Sequence, residues 1–401
     1  MLIAFYILAF QQILQGIVSL FDGQRWLRMV RRRLGAHGGF YAPQVALICP
    51  CKGSEPHLES NLTALTRYDY ANYEIFFVLA SNLDPAVRVI ERLRRATDKK
   101  VHVVIAGPPA DSSEKVSNLR KVVEQLDPKF EVIVFTDSDI SPSRSWLSKL
   151  VLPLADGRIG AATTYRWLIP SLGKGDSSLA TGLASAWNAA VATMLGEHDR
   201  NFCWGGGTAI RAFTFQEVNA LNFWDGAVSD DLALTNALHA ANMPIVFVPE
   251  CIAPTLFGTN FDDLTEFTNR QTILTRIYSK KMWSTGALAH ASYVVTTIFL
   301  ATVTFSRLLS GDTWEALLLM MLLIPLLSMM KGAIRTVAVL EILPEWRQKL
   351  HDWSWVWTLL APIVPFLFFW NFCVSSITRT IHWRGIDYRL VSMNQTEILK
   401  R

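Results

Sequence analysis

The stretch Glu131-Val132-Ile133-Val134-Phe135-Thr136-Asp137-Ser138-Asp139 decides the fold. Five apolar or β-branched residues without a charge describe a short strand covered on both faces, and Asp-Ser-Asp then falls at its carboxyl end. In open α/β sheets ligands bind at that end. Carboxylates at i and i+2, followed by Ser141-Pro142-Ser143, have the spacing to reach one hard divalent cation that holds a diphosphate. An isolated Asp-x-Asp is more often a solvated loop and helix cap, so its meaning depends on what surrounds it.

On both sides of that stretch, strands alternate with helices. Val45 to Cys49, Tyr73 to Leu79, Val101 to Ile105, Val132 to Phe135 and Gly160 to Thr164 read as strands. Leu58 to Arg67, Pro85 to Ala96, Lys115 to Leu126 and Ser143 to Leu154 carry helical periodicity, several opening on Ser, Asp or Pro. The pattern predicts an α/β domain over residues 44–260 with a Rossmann-like, mixed and mostly parallel sheet. Beyond Ile169, Leu179 to Gly196 and Asp230 to Asn242 read as helices, Gly205-Gly206-Gly207 as a loop, and Ile245 to Val248 as a further strand.

The ends of the chain differ from its middle. With 51% hydrophobic residues, 18% charged and 14 Trp among 401, the composition is too apolar for an ordinary soluble protein. Residues 1–22 are expected to form an N-terminal transmembrane helix, since Leu2 to Phe21 is uncharged and, at about 1.5 Å per residue, matches a ~30 Å hydrocarbon core. No signal-peptide pattern of basic start, short apolar core and small-residue cleavage site is present. Arg25, Arg28, Arg31, Arg32 and Arg33 place the next segment, a basic interfacial stretch over 23–43, in the cytoplasm. An interfacial segment over 261–286 is followed by transmembrane or re-entrant helices over 287–308, 314–331 and 354–378, and by a tail over 379–401. Three full crossings would put that basic tail outside, against its own charge, so the last apolar run is expected to bend or re-enter. The chain therefore reads as a multi-pass integral membrane protein with a cytoplasmic catalytic domain.

A net charge of +4, without basic runs interleaved with aromatics outside the membrane flanks, argues against nucleic acid. Five cysteines, Cys49, Cys51, Cys203, Cys251 and Cys373, lack paired zinc spacing and read as reduced thiols.

A second acidic pair, Asp230-Asp231, opens a predicted helix. Carboxylates there are ordinarily caps favoured by the helix dipole. Beside a metal-like pair, however, a carboxylate facing an alcohol can act as general base while the alcohol oxygen attacks a sugar. Lys52-Gly53 after the first strand and Lys115 are placed to meet phosphate oxygens. Glu197-His198-Asp199 precedes Trp204 and the glycines, where a His between acids is usually hydrogen-bonded structure. Asn269-Arg270-Gln271 and Arg276 lie between the α/β domain and the apolar helices. Neutralising a leaving diphosphate and snorkelling to lipid headgroups both account for these arginines.

Taken together, Cys51-Lys52-Gly53 to Asn61-Leu62, Asp84-Pro85-Ala86, Lys115 with Asn118-Leu119, Asp137-Ser138-Asp139, Glu197-His198, Trp204 to Gly207, Asp230-Asp231, Trp383-Arg384-Gly385 and Tyr388-Arg389-Leu390 resemble the ceramide glucosyltransferase family, family 21, within the inverting GT-A glycosyltransferases of the family-two type. The resemblance implies that Asp137 and Asp139 hold a divalent metal, Mg²⁺ or Mn²⁺, with UDP. It implies Asp231 as base, with Asp230 where the family usually has Glu. Lys52, Gly53, Ser81, Asp84, Lys115, Asn118, Arg270, Gln271 and Arg276 would line the donor and diphosphate site. His198 would stand near the acceptor headgroup as a third catalytic-side residue, with Glu197, Trp204, Gly205 and Gly206 beside it. A UDP-sugar, with glucose expected, is the implied donor, and a ceramide-like membrane lipid the implied acceptor. Hopanoids and glycerolipids, with glucose or N-acetylglucosamine, are the nearest alternatives, and an inactive membrane scaffold is the alternative of another class.

Two positions depart from the family pattern. Ser81 stands where the family has a nucleotide-contacting acid, with Asp84 the nearest carboxylate. The Gln-x-x-Arg-Trp signature is reduced to Gln271-Thr272-Ile273-Leu274-Thr275, with Arg276 one place on.

Overall fold

A computed structural model of the chain describes residues 2–36 and 39–400. It divides into two compact units, each assembled from separated pieces of sequence. Arg33–Trp167, Met194–Leu256 and Arg379–Arg401 make the sheet unit. Met1–Arg32, Leu168–Thr193 and Phe257–Thr378 make the helical unit.

The sheet unit is built on β1 (Val45–Pro50), β2 (Tyr73–Leu79), β3 (Val101–Ile105), β4 (Val132–Thr136) and β5 (Ala161–Thr163), after which the short β6 (Arg166–Pro170) starts in this unit and ends in the helical one. Later come β7 (Gly207–Arg211), β8 (Ile245–Phe247) and β9 (Ala253–Phe257). Seven strands form one sheet in the order β3-β2-β1-β4-β7-β5-β8. Every ladder is parallel except those of β7, which runs antiparallel to both β4 and β5. The expected mixed, mostly parallel sheet is present.

Its order follows from burial. β1 and β4 occupy the centre, and Val45 to Cys49 and Val132 to Thr136 are buried residue by residue, as strands covered on both faces must be. Ile48 pairs with Phe135, so the loop after β1 and the Asp137 turn emerge side by side. Asn61 Nδ2 donates to the Ser138 carbonyl (3.2 Å), tying the helix after β1 to that turn. Below β4, the rings of Phe135, Phe215 and Trp224 pack with centroids 5.2 to 6.1 Å apart.

Two features of this unit were not expected. The glycines at 205–207 do not simply form a loop, because Gly207 begins β7, whose Thr208, Ala209 and Ile210 are buried between β4 and β5. The expected tail is folded: β10 (Thr380–Trp383), β11 (Ile386–Ser392) and β12 (Gln395–Lys400) form an antiparallel meander. Arg384 (φ +54°) and Gly385 (φ +80°) make the two-residue turn between β10 and β11, the left-handed pair that suits the twist of a tight hairpin. Tyr388 and Leu390 are buried beneath the meander, the Thr396 hydroxyl donates to the Gly226 carbonyl (2.7 Å), and Asn394 Nδ2 donates to that of Asn222 (3.3 Å).

In the helical unit, Leu2–Gly35 is one unbroken helix, running past the boundary expected near residue 22. Lys280–Ser310 and Glu315–Ile342 follow, and these two are long and apolar enough to cross a membrane. The first helix lies along Glu315–Ile342 with close backbone approach: a Cβ on Gly16 would stand 2.8 Å from Leu327 Cδ1. Arg31 and Glu341 join the same two helices by an ion pair (2.7 Å), and Gln12 Nε2 donates to Ser292 Oγ (2.7 Å). Ala9, Leu300, Leu317 and Ile324 form the core between them. The apolar run at 354–378 is broken into Ser354–Leu359 and Val364–Ile377 around Pro362 and Pro365.

Candidate active site

Five loops and helix starts bring ionisable groups together above the carboxyl ends of β1 and β4. Ser113 caps the helix Glu114–Val123: its hydroxyl accepts from Val116 N (3.2 Å) and donates to the Val228 carbonyl (2.7 Å). That places Lys115 in the first turn, and its Nζ lies 2.8 Å from Asp137 Oδ1 and 3.2 Å from Asp230 Oδ1. One ammonium thus joins two acidic pairs that are 93 residues apart in the chain (230 − 137).

The second pair is fixed by the cap of its own helix, Asp230–Ala240. Ser229 Oγ accepts from Leu232 N (3.3 Å) and donates to Asp231 Oδ1, which also receives the Leu232 N–H (2.8 Å). Asp231 Oδ2 accepts from Gly205 N (3.1 Å). A Cβ on Gly205 would lie 2.6 Å from both Asp230 Oδ2 and Lys115 Nζ, so a side chain there would displace the tips of both. Gly206 is similarly closed in by the Trp204 ring, 2.3 Å from where its Cβ would be. Trp204 packs against Tyr165 with centroids 5.4 Å apart.

Arg166 was not singled out from the sequence. It extends from β6 to Asp139 Oδ2 (3.0 Å), and an arginine inside the apolar run Ala161 to Ile169 was the available signal. Arg384, on the meander turn, pairs with Glu55 in the loop after β1.

Four carboxylates, at 137, 139, 230 and 231, thus face Lys115 and Arg166. Burial pushes the Asp137 carboxyl up, but Lys115, with Arg166 and Arg384, outweighs it and holds that group below the usual range. Asp139 is raised, chiefly by burial, with Asp137 adding to what Arg166 only partly offsets. Burial takes Asp230 up to about 7 against the pull of Lys115. Lys115 is itself raised, because Asp137, Asp230 and Asp231 together overcome its desolvation.

The remaining expected residues fall in several settings. Lys52 pairs with Glu114 (3.0 Å), and Gly53 N donates to both Asp84 oxygens (2.9 and 3.1 Å). Asp84 Oδ1 also accepts from Ala86 N (2.8 Å), so this carboxylate ties two loops together. Ser81 accepts from Leu83 N in the same turn. Asn118 is buried next to Lys115 with its Oδ1 unpartnered. His198 is exposed, with Nε2 against the Met194 carbonyl (2.9 Å) and Nδ1 accepting from Arg200 N (3.1 Å), and Glu197 is exposed beside it. Arg270, Gln271 and Arg276 belong to the helical unit, on Phe261–Tyr278. There Arg270 approaches Glu266 (3.9 Å), the Gln271 carbonyl accepts from Thr275 Oγ1 (2.8 Å), and Arg276 donates to the Ser375 carbonyl over the Trp283 ring.

Among the described residues, no three His, Cys, Asp or Glu side chains are grouped to hold a metal alone. The site nonetheless suits a hard cation bound partly by phosphate. Asp139 Oδ1 is buried with no hydrogen-bond partner, and Mg²⁺ commonly takes one or two carboxylates with the rest from phosphate and water.

A mixed sheet with acidic residues gathered at the carboxyl ends of its central strands defines a glycosyltransferase of the GT-A class. The model of glycosyl transferase family 21 matches residues 5–396, and the chain belongs to that family. It is 27% identical over 147 residues to a ceramide glucosyltransferase of Gibberella zeae, an alignment covering 34% of this chain and 28% of that one. The chain therefore spans little more than a quarter of that relative's length. Among solved structures, it is similar to the Pyrobaculum calidifontis mannosyltransferase PcManGT, in complex with GDP-Man and Mn²⁺ (14% identity, 89% of this chain and 98% of that one, TM-score 0.49). It is also similar to the Mycobacterium tuberculosis glucosyl-3-phosphoglycerate synthase (15% identity, 59% and 80%, TM-score 0.37).

Proposed function

We propose that this glycosyltransferase moves a sugar, glucose as the expected one, from a UDP-sugar to the hydroxyl of a ceramide-like membrane lipid, with inversion at the anomeric carbon. One observation carries the reading: Lys115 holds Asp137 and Asp230 within one salt bridge of each other, so a donor end and an acceptor end share a pocket. Asp231, oriented by Ser229 and by the Gly205 and Leu232 N–H groups, is the base. The lipid oxygen attacks the anomeric carbon, its proton passes to Asp231, and the bond from that carbon to the diphosphate oxygen breaks as UDP leaves. Asp137 and Asp139 would hold a Mg²⁺ or Mn²⁺ ion, which when bound stabilises negative charge on the leaving diphosphate. Lys115 keeps Asp137 ionised for that task.

A membrane setting is supported by Lys280–Ser310 and Glu315–Ile342, which leave Leu288, Phe305, Leu309 and Leu319 more than 60% exposed. With the arginine-rich Arg25 to Arg33 on its cytoplasmic side, the catalytic domain would face the cytoplasm.

The test is transfer from labelled UDP-sugars to a lipid extract by purified protein with Mg²⁺ or Mn²⁺. Mass spectrometry of the product separates ceramide from hopanoid and glycerolipid acceptors, and glucose from N-acetylglucosamine. Absence of any lipid-linked sugar across these donors would leave the scaffold reading standing.

A further inference from the structure

The meander brings a third cation to the pocket. Its Trp383-Arg384-Gly385 turn projects over the loop after β1, where the Arg384 guanidinium meets Glu55, two residues beyond Gly53. Its next strand reaches the start of the Lys115 helix, where Tyr388 Oη accepts from Glu114 N (3.2 Å). Both segments that carry the expected phosphate-binding lysines are therefore touched by residues 380–400.

Arg384 is an unusual occupant of that turn. A left-handed φ costs an L-residue on the order of 1 kcal/mol or more, and Asn or Gly is the ordinary choice. Strain of this kind is retained where the side chain is needed. The other cations are more fully committed. Lys115 is shared between two carboxylates and Arg166 is held by Asp139, each with only 15% of its side chain exposed. Arg384 is ion-paired with Glu55, feels Asp137 and Asp139 from further off, and keeps 40% of its side chain exposed, more than the 32% of Lys52. A guanidinium presents paired donors that match phosphate oxygens.

We propose that Arg384 is a ligand of the donor diphosphate, resting on Glu55 in the absence of nucleotide and transferring to the β-phosphate when it binds. This rests on the pocket taking a nucleoside diphosphate. Residues 380–400 are then a wall of the donor site as well as a structural appendix.

Calorimetric titration of the full chain in detergent, with Mg²⁺ and either UDP or UMP, tests it. Arg384→Gly removes the side chain while keeping a residue that accepts the left-handed turn. It should weaken UDP binding by roughly tenfold to a hundredfold, the worth of a charge-assisted contact, and leave UMP, which lacks the β-phosphate, unchanged. Glu55→Gln, which frees Arg384, should bind UDP at least as tightly as the parent. Equal UDP affinity in the parent and Arg384→Gly overturns the assignment. So does an equal loss in Arg384→Gly and Glu55→Gln accompanied by equal loss of thermal stability, the mark of a purely structural tie. A parent protein that binds neither nucleotide overturns the donor-site reading itself, and this assignment with it.

Discussion

In the proposed mechanism Lys115 serves the structure of the site and Asp231 its chemistry, and substitutions should separate them. Asp231→Asn preserves the side-chain shape on a partly exposed helix cap. It should reduce transfer by about 10² to 10⁴, the usual contribution of a general base, while UDP binding stays intact. Transfer at parental rates would remove Asp231 from the mechanism. Lys115→Met leaves Asp137 and Asp230 facing each other with no cation between them. Breaking a buried pair of this kind costs about 3–5 kcal/mol, visible as a lower unfolding midpoint. Asp230 adds a pH dependence of definite sign. Its carboxyl titrates near 7 in the folded state against 3.8 ordinarily, so the folded protein binds an extra proton between those values and loses stability as pH rises through them. From about pH 5 to about pH 8, the unfolding temperature of the parent should fall more than that of Asp230→Asn. The two acidic pairs were legible because their residue types and neighbours suggest the chemistry. Arg166 and the closeness of Gly205 to Lys115 were not, since both depend on contacts between strands distant in sequence.

Among the elements, the central strands could be read because burial on both faces demands unbroken apolar runs, which Val45 to Cys49 and Val132 to Phe135 display. β7 was hidden because its five residues begin on a glycine and follow two more, a composition that reads as loop. The meander was hidden by its charge, though Ile386, Tyr388 and Leu390 alternate as a half-buried strand should. Its docking depends on Gly226, whose φ is +62° and whose Cβ, if present, would lie 2.1 Å from the Asn394 carbonyl oxygen. Gly226→Ala should release the meander: hydrogen exchange of the amides in 386–398 should accelerate while β1 and β4 stay protected. Unchanged protection at 386–398 would show that the contact yields without consequence.

At the scale of the whole molecule, composition pointed to apolar helices at both ends of the α/β domain, and two such helices are present in the later part. The question of the last run is eased by the fold. Val364–Ile377 extends about 21 Å, short of a ~30 Å hydrocarbon core, and the meander after it belongs to the sheet unit. Residues 98 and 400 should therefore lie on the same side of the bilayer. In a Cys373→Ser background, cysteines introduced at Asp98 and at Lys400 should both react with an impermeant maleimide from one side of sealed vesicles, and labelling from opposite sides would contradict the shared unit. The interleaving of the two units also has a consequence for biogenesis. The ribosome makes the helix Leu2–Gly35 first, then β1 to β9, then the two long apolar helices Lys280–Ser310 and Glu315–Ile342, and only afterwards the meander. A nascent chain released before Thr380 would carry its sheet and its acidic pairs but lack Arg384, so, with Arg384 in the proposed role of diphosphate ligand, competence to hold the donor waits for synthesis of the meander.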